Sequence, residues 1–569
     1  MQMTADEITR ETPAPLNAEE LLRRYAAGER VFNEAQLAAA DLHRATLSGV
    51  DLANANLTAA NLEDADLRDA NLQGATLLRA TLRNANLENT DLTKTVGLLP
   101  AQLAGANLSG ARLPDRFGDF DGLRVVEEES KNARGLYFAT LLACFYGWLT
   151  IGTTTDADLL SNSASSSLPI IKADVPVVGV YILGPLVLLL LYIYLHLHLQ
   201  RLWERLADLP AVFPDGRSLG KRAYPWLLTG LVYSYNPYLS NRRPPLSRLQ
   251  ATITVWVTWW LLPATILFFW LRYLRRHDWI GTSLHIIVIT VTVSAAILLY
   301  RLATATLGGR REAPLSIKQI LASPRSYRRA LWTSALAATF TAFSWGAIRG
   351  IPPDFESMVD GGSLIGADVS RWDARRWVPR LLRQTGYNTF ANLREVEISS
   401  RLSNWKGAGT DEVHTVKRGQ LRGADIRFAD ATRVFLVGAD MTRANLQGIY
   451  FYNAALRHAD LMWADLREAF LYEADLQHAN LRNADLRAAD LSRSNLAGAS
   501  LKGARLDGTN FEEAVLTKTD LSGANLSAAK GLTLRQLETA VVDAQTQLPN
   551  DLVNIKQAKR PTPADGGKR

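Results

Sequence analysis

An apolar residue returns at every fifth position near both ends of the chain, and this period constrains the fold more than any other feature. The first series runs from Phe32 to Leu113 with a break at Val96–Pro100, and the second runs from Leu421 to Leu526, with Ala431 as its one small member. A period of five matches neither an α-helix nor a flat strand. A chain that turns a corner every five residues does bury the whole series, and four such faces make a coil of about 20 residues.

The repeated motif is A(D/N)LXX, for example ANANLTAANLEDADLRDANLQGA at residues 53–75. This tandem pattern resembles the pentapeptide-repeat family, whose fold is a right-handed quadrilateral β-helix. We name residues 32–113 array 1 and residues 417–530 array 2. Exposed strand edges at the ends of such a stack need caps. Capping motifs predict one helix before array 1, at Asn17-Ala18-Glu19-Glu20, and one after array 2, at Thr533–Gln536.

The middle of the chain contains long segments without Asp, Glu, Lys or Arg. Each is long enough to cross a bilayer; they are 135–155, 175–200, 249–271, 279–300 and 330–348. The fifth is richer in Ala, Thr and Ser than the others, so the pattern predicts four or five membrane spans. The stretch from Ile151 to Leu191 also resembles a region of multi-spanning bacterial pentapeptide-repeat proteins, which implies a bacterial plasma-membrane location.

The charges of the connecting segments predict the orientation. Residues 201–248 carry eight Lys and Arg, and residues 301–329 carry seven. Segments rich in positive charge stay in the cytoplasm, so array 1 is expected there too. The polar, acidic first 15 residues do not resemble a signal peptide. Array 2 is extracytoplasmic if 330–348 crosses the membrane, and cytoplasmic if it does not.

These observations predict a mixed membrane protein in which two right-handed quadrilateral β-helices flank a helical transmembrane domain. The predicted domains are a tail and cap helix (1–31), array 1 (32–113), a linker (114–134), the transmembrane domain (135–349), a linker with the N-terminal cap of the second array (350–416), array 2 (417–530), and a cap helix with a tail (531–569).

An aromatic group on array 2 is the candidate partner-binding patch. Tyr450 is twenty residues before Phe470, and Tyr452 is twenty residues before Tyr472. One coil has about that length, so each pair should stack between neighbouring coils. Residues next to a core position should point outward, as should Ser492 on the same face. Exposed apolar clusters often mark contacts, although a loop from the 350–416 linker could equally cover this one.

No catalytic, metal or cofactor site is predicted. His196 and His198 should lie near lipid headgroups, and His285 has no partner acid or base in the other spans. His458 and His478 should stack outward without a third ligand. Phosphate-binding, zinc-protease and nucleophile-elbow motifs do not occur in the sequence, so no enzymatic activity is expected.

Charge balance disfavours nucleic-acid mimicry and nucleic-acid binding. Array 2 carries 15 basic and 14 acidic residues, whereas a duplex mimic needs a dense electrostatic field of one sign.

The predicted function is a membrane-anchored, non-catalytic scaffold. Its partners are the lipid bilayer and one or more proteins, among them a second copy of this chain. The alternative is a transporter or channel with regulatory repeat domains, and a topoisomerase-protecting DNA mimic is a third, weaker hypothesis.

Overall fold

The computed structural model describes residues 16–117, 121–161, 165–167, 174–222, 231, 246–308, 324–350, 374–385, 387–400 and 416–552. The chain divides into two units. Unit 1 consists of Met1–Phe145, Leu188–Ala264 and Thr292–Tyr327, and unit 2 consists of Tyr146–Val187, Thr265–Val291 and Arg328–Arg569. Array 1 belongs to unit 1 and array 2 to unit 2.

Array 1 is a stack of coils. Residues twenty positions apart pair as parallel bridges, from Val31 with Asp51 to Thr76 with Val96. The leucines of the five-residue series are buried in one continuous core. Helix α1 (Ala18–Ala26) begins at Asn17, whose side chain accepts a hydrogen bond from the Glu20 amide at 2.8 Å.

The turns between faces explain which polar residues the repeat uses. In one turn, Asp51 accepts a hydrogen bond from the Ala53 amide at 3.1 Å, which braces the corner that follows the core residue Leu52. The residue two places after that leucine, Asn54, has a φ of 56°. Asn, Asp and Gly reach this left-handed conformation at low cost, and Gly74 occupies the equivalent place one coil later with a φ of 71°.

The central region is helical. Its elements in chain order are α2 (Asp121–Thr153), α3 (Asp156–Ser161), strands β1 (Ser165–Ser167) and β2 (Asp174–Pro176), α4 (Val177–Ala207), α5 (Leu219–Arg222), α6 (Ser247–Val255), a π-helical turn (Trp256–Trp260), α7 (Leu261–Tyr273), a 3₁₀ turn (Leu274–Arg276), α8 (Trp279–Leu307), α9 (Pro324–Ile348) and α10 (Ala374–Gln384). Strands β1 and β2 pair antiparallel.

Four helical segments among the described residues are long and apolar enough to cross a bilayer. They are Leu123–Thr153, Val177–Ala207, Arg248–Arg276 and Trp279–Leu307. Helix α9 is 25 residues long but is not one of the four. Its Ala, Thr and Ser residues lower its mean hydropathy, in line with the sequence pattern of segment 330–348.

Within unit 1, aromatic side chains of α4 pack on the π-helical turn. Trp203 stacks on Trp259 with ring centroids 5.2 Å apart. The Tyr192 hydroxyl donates to the Trp259 carbonyl at 3.2 Å, and His196 Nε2 lies 3.2 Å from the Thr258 carbonyl. His196 is buried, so the prediction that it lies near headgroups is wrong: the aromatic side chains around it and this backbone carbonyl hold it inside the helix packing.

The segment that follows α4 joins array 1. Val212 pairs in parallel with Asn107, and the Leu108 amide donates to the Val212 carbonyl at 3.0 Å. The Gly105 amide donates to the Leu209 carbonyl at 2.9 Å. Residues 209–212 therefore satisfy backbone groups of the last coil that would otherwise lack a neighbouring coil.

Array 2 is a longer stack of the same kind, with parallel bridges from Gln420–Asp440 to Asn510–Lys530. Its first coils also pair with earlier residues, since Asn392 bridges Asp430 and Glu397 bridges Phe435. These earlier residues lie within the 350–416 segment. At the other end, α11 (Leu534–Thr539) covers the core. The side-chain amide of Gln536 donates to the carbonyls of Phe511 and Ala514 at 2.8 and 2.9 Å.

Candidate functional site

The aromatic patch on array 2 consists of Tyr450, Tyr452, Phe470 and Tyr472, and its geometry follows from the coil repeat. The Phe451 amide donates to the Phe470 carbonyl at 2.7 Å, which holds the two coils in register. Tyr450 stacks on Phe470 with centroids 5.0 Å apart and an interplanar angle of 7°. Tyr452 meets Tyr472 edge-on at 6.2 Å.

The four rings of the patch are half-buried. Phe470 also lies 6.2 Å from Tyr452, so the rings cover one another in a single cluster. Burial raises the pKa of Tyr452, which keeps its hydroxyl neutral and able to donate a hydrogen bond. The patch therefore offers apolar ring area together with polar hydroxyl groups, the combination that favours aromatic residues at protein interfaces.

A charged rim borders the patch on the next coil. Arg493 donates to the Tyr472 hydroxyl at 2.7 Å, and its guanidinium lies 5.6 Å from the centre of the Tyr472 ring. The same guanidinium pairs with Glu513 at 2.9 Å. Ser492, on this face, is only 8% exposed, so the prediction that it points outward is wrong. Its hydroxyl donates to the Asp490 carboxylate at 2.6 Å and folds against the coil.

A second site, which the sequence reasoning missed, joins the helices of unit 2 to the start of array 2. We call it the arginine clamp: Arg272, Arg275 and Arg276 converge on α3 around the buried Asp156. Arg272 and Arg275 both pair with the Asp156 carboxylate, Arg275 at 3.1 Å. Arg276 donates to the Leu159 carbonyl. The clamp thus ties the end of the third candidate span to the segment that follows the first.

Asp156 also contacts the segment before array 2 whose residue Asn392 bridges Asp430 of the first coil. The Asn392 amide donates to its carboxylate at 2.7 Å, and Arg275 Nε donates to the Asn388 carbonyl at 2.9 Å. Burial raises the pKa of Asp156, but the charges of Arg272 and Arg275 and the bond from Asn392 outweigh burial and hold that pKa below its usual range. The carboxylate is therefore ionised at neutral pH and compensates two half-buried cations.

A further ionic group lies in the first coil of array 2. Arg427 pairs with Asp425 through two bonds of 2.8 and 2.9 Å and also donates to the carbonyl of Ile348, the last residue of α9, at 3.0 Å. His277 Nδ1 lies 3.6 Å from Asp425. Burial raises the pKa of Asp425, whereas His277 and Arg427 lower it more strongly, to about 2. Arg427 thereby caps the carboxyl end of α9.

Three of the histidines discussed from the sequence, His285, His458 and His478, pack against neighbouring parts of the protein. His458 stacks on His478 with centroids 4.9 Å apart, and Gly498 leaves the space that His478 fills. His285 Nδ1 lies 2.8 Å from the Gly281 carbonyl of its own helix. Within the part of the chain that the structure describes, His, Cys, Asp and Glu residues form no group of three that could hold a metal ion.

Comparisons with known proteins connect the two arrays to one family. The family model of pentapeptide repeats matches in eight copies, at residues 35–74, 60–96, 420–457, 454–493 and 494–530. None of the curated proteins matches the chain.

Solved structures of repeat proteins match over 20–28% of this chain. The pentapeptide repeat protein Rfr23 from the cyanobacterium Cyanothece 51142 is 35% identical over 20% of this chain and 65% of its own, with a TM-score of 0.14. The pentapeptide repeat protein alr5209 from Nostoc PCC 7120 is 31% identical over 21% of this chain and 84% of its own, with a TM-score of 0.14. HetL, a pentapeptide repeat protein from Nostoc sp. strain PCC 7120, is 27% identical over 28% of this chain and 70% of its own, with a TM-score of 0.13.

Proposed function

Because this chain belongs to the pentapeptide-repeat family, we propose that it is a membrane-anchored, non-catalytic scaffold. Its two arrays are right-handed quadrilateral β-helices that present protein-binding surfaces, and the four candidate spans between them supply the anchor. The aromatic patch carries this proposal. Its rings stand on coils whose backbone groups are already paired, so a partner binds with little loss of conformational entropy.

The proposal includes a location for each array in the bacterial plasma membrane. The core of array 2 includes Ala157 and Leu160 of α3, which follows the first candidate span. The segment that pairs with its first coils contacts the arginine clamp at the end of the third candidate span. Arg427 of array 2 contacts Ile348 at the end of α9. Segments that follow odd-numbered spans lie on the side opposite the N-terminus. Our proposal therefore makes α9 the fifth span and array 2 extracytoplasmic.

Array 1 supports the same topology by its own contacts. It pairs with residues 209–212, which follow the second candidate span. A segment after an even-numbered span lies on the side of the N-terminus. This connection belongs to the 201–248 segment with eight Lys and Arg residues, so the positive-inside rule puts it, together with array 1, in the cytoplasm.

Removal of two patch rings tests the scaffold proposal. We expect Tyr452→Ala combined with Tyr472→Ala to lower the recovery of crosslinked partner proteins from membranes by about tenfold, since buried tyrosines are typical interface anchors. The melting temperature of the full-length protein in detergent should change little, because the core residues Phe451 and Leu471 remain.

The matched control replaces Arg482 and Lys502, exposed residues of the same array, with Ala. Unchanged recovery with the tyrosine variant would contradict the assignment of the patch. A large drop in melting temperature would instead mean that the rings are covered by another part of the chain and stabilise the fold.

A further inference from the structure

Helix α10 has an unusual composition for a segment between two folded regions. Its sequence, ARRWVPRLLRQ, contains four Arg residues and no acidic residue over Ala374–Gln384. Val378 and Leu382, four positions apart, are both buried. The helix is therefore amphipathic, with a narrow apolar stripe that docks on the protein and a basic remainder.

The docked stripe contacts the ends of the third candidate span and of α9. Val378 and Leu382 share one core cluster with Trp270 and Leu274, at the end of the third candidate span, and with Ile348, at the end of α9. The chain just after α9 also packs closely on α10, since a Cβ at Gly350 would clash with Pro379 Cγ. Because bilayer-length helices end at the headgroup region, α10 lies at that level.

A second pair of apolar side chains on α10 is left outside this cluster. Trp377 and Leu381, also four positions apart, are 45% and 47% exposed. Arg380 and Arg383 are exposed beside them. Arg375 lies over Trp345 of α9 at 5.5 Å, which adds a cation to the same region. Tryptophan favours the membrane interface, and arginine binds phosphate through several donors at once.

We infer that α10 is an interfacial helix that binds the phosphate groups of anionic phospholipids. Trp377 and Leu381 enter the interface between headgroups and acyl chains, and Arg380 and Arg383 contact the headgroups of neighbouring lipids. The helix lies at the ends of the spans, where the bilayer already surrounds the protein. This position favours lipid over a protein partner as the ligand of the exposed side chains. The inference rests on the membrane anchoring of the proposed function, but not on the patch or on which side of the membrane array 2 occupies.

Lipid selectivity of the full-length protein tests this inference. The protein is reconstituted in phosphatidylcholine vesicles with a trace of spin-labelled phosphatidylglycerol or spin-labelled phosphatidylcholine. Electron spin resonance then gives the motionally restricted fraction of each label. We expect a larger restricted fraction for phosphatidylglycerol, and at least a twofold smaller preference in the R380Q/R383Q variant.

The R443Q/R482Q variant, which removes two exposed arginines of array 2, is the matched control and should keep the wild-type preference. High salt should weaken the preference, because exposed charges are screened. Inorganic phosphate at constant ionic strength should not displace the lipid; displacement would overturn the lipid assignment in favour of a soluble anion. Equal restriction of both labels, or equal preference in wild type and R380Q/R383Q, would also overturn the inference.

Discussion

Leu471→Asp is expected to unfold array 2. Leu471 is 1% exposed and lies in the continuous core that runs through the stack. A carboxylate there would be surrounded by leucine and alanine side chains, and burial of an unpaired charge costs several kcal/mol. Because each coil is stabilised by its neighbours, disruption of one interior coil removes support from both sides. We expect a loss of more than about 4 kcal/mol, detected by rapid tryptic cleavage of array 2 in the full-length protein.

Trp463→Asp is the matched control for this substitution. Trp463 also belongs to array 2, but its side chain is 55% exposed and its φ is 61°, a conformation that Asp tolerates. The control should resist trypsin as the wild type does. Trypsin resistance of Leu471→Asp equal to that of Trp463→Asp would contradict the description of the five-residue series as the buried core that stabilises the array.

Asp156→Asn should give the second largest effect. The substitution leaves the half-buried Arg272 and Arg275 without the buried carboxylate that they share. Removal of one partner from a fully buried ion pair typically costs about 3–5 kcal/mol, which is the upper bound here. We expect a lower melting temperature for the full-length protein in detergent and faster proteolysis between α3 and array 2. Asp507→Asn, on the half-exposed surface of array 2, should behave as the wild type.

Acid should reproduce part of this effect in the wild type. Since the pKa of Asp156 is lowered in the folded protein, its contribution to stability is complete above the pKa of an unfolded Asp, about 3.9. That contribution is lost as the pH falls below this value towards the folded pKa. The difference in melting temperature between wild type and Asp156→Asn should therefore shrink in the same range. A constant difference down to strong acid would contradict the ionic role of Asp156.

The arrays are predictable from the sequence because the five-residue repeat involves only residues that are close together in the chain. Every core position follows the last by five residues, and the same small set of residues serves each turn, so the repeat alone identifies the buried leucines. The stacking of Tyr450 on Phe470 follows from the same repeat. Ser492 shows the limit of this rule. The repeat predicts an outward position for its side chain, but a hydrogen bond to Asp490 turns the hydroxyl back onto the coil.

The junctions are not predictable in this way because their residues are distant in sequence. Asp156 meets Arg272 after 116 residues and Asn392 after 236, and no periodicity links such positions. In the sequence, Arg272, Arg275 and Arg276 are only a few charges in a short connection. Helix α10 does leave a signal, since RRWVPRLLR combines apolar residues at a spacing of four with repeated arginine, which is typical of interfacial helices.

The membrane side of array 2 distinguishes five spans from four, and cysteine labelling in intact cells measures it most directly. The native Cys144 is buried, so a new cysteine gives a clean signal. Lys502→Cys in array 2 and Gln73→Cys in array 1 form a matched pair, because both exposed residues directly follow a core leucine. Each variant is treated with a membrane-impermeant maleimide before and after permeabilisation.

We predict that Lys502→Cys reacts in intact cells, whereas Gln73→Cys reacts only after permeabilisation. This result would mean five spans, with array 2 available to extracytoplasmic partners. Protection of Lys502→Cys until permeabilisation would contradict the account, because it would put both arrays in the cytoplasm and leave α9 outside the set of spans.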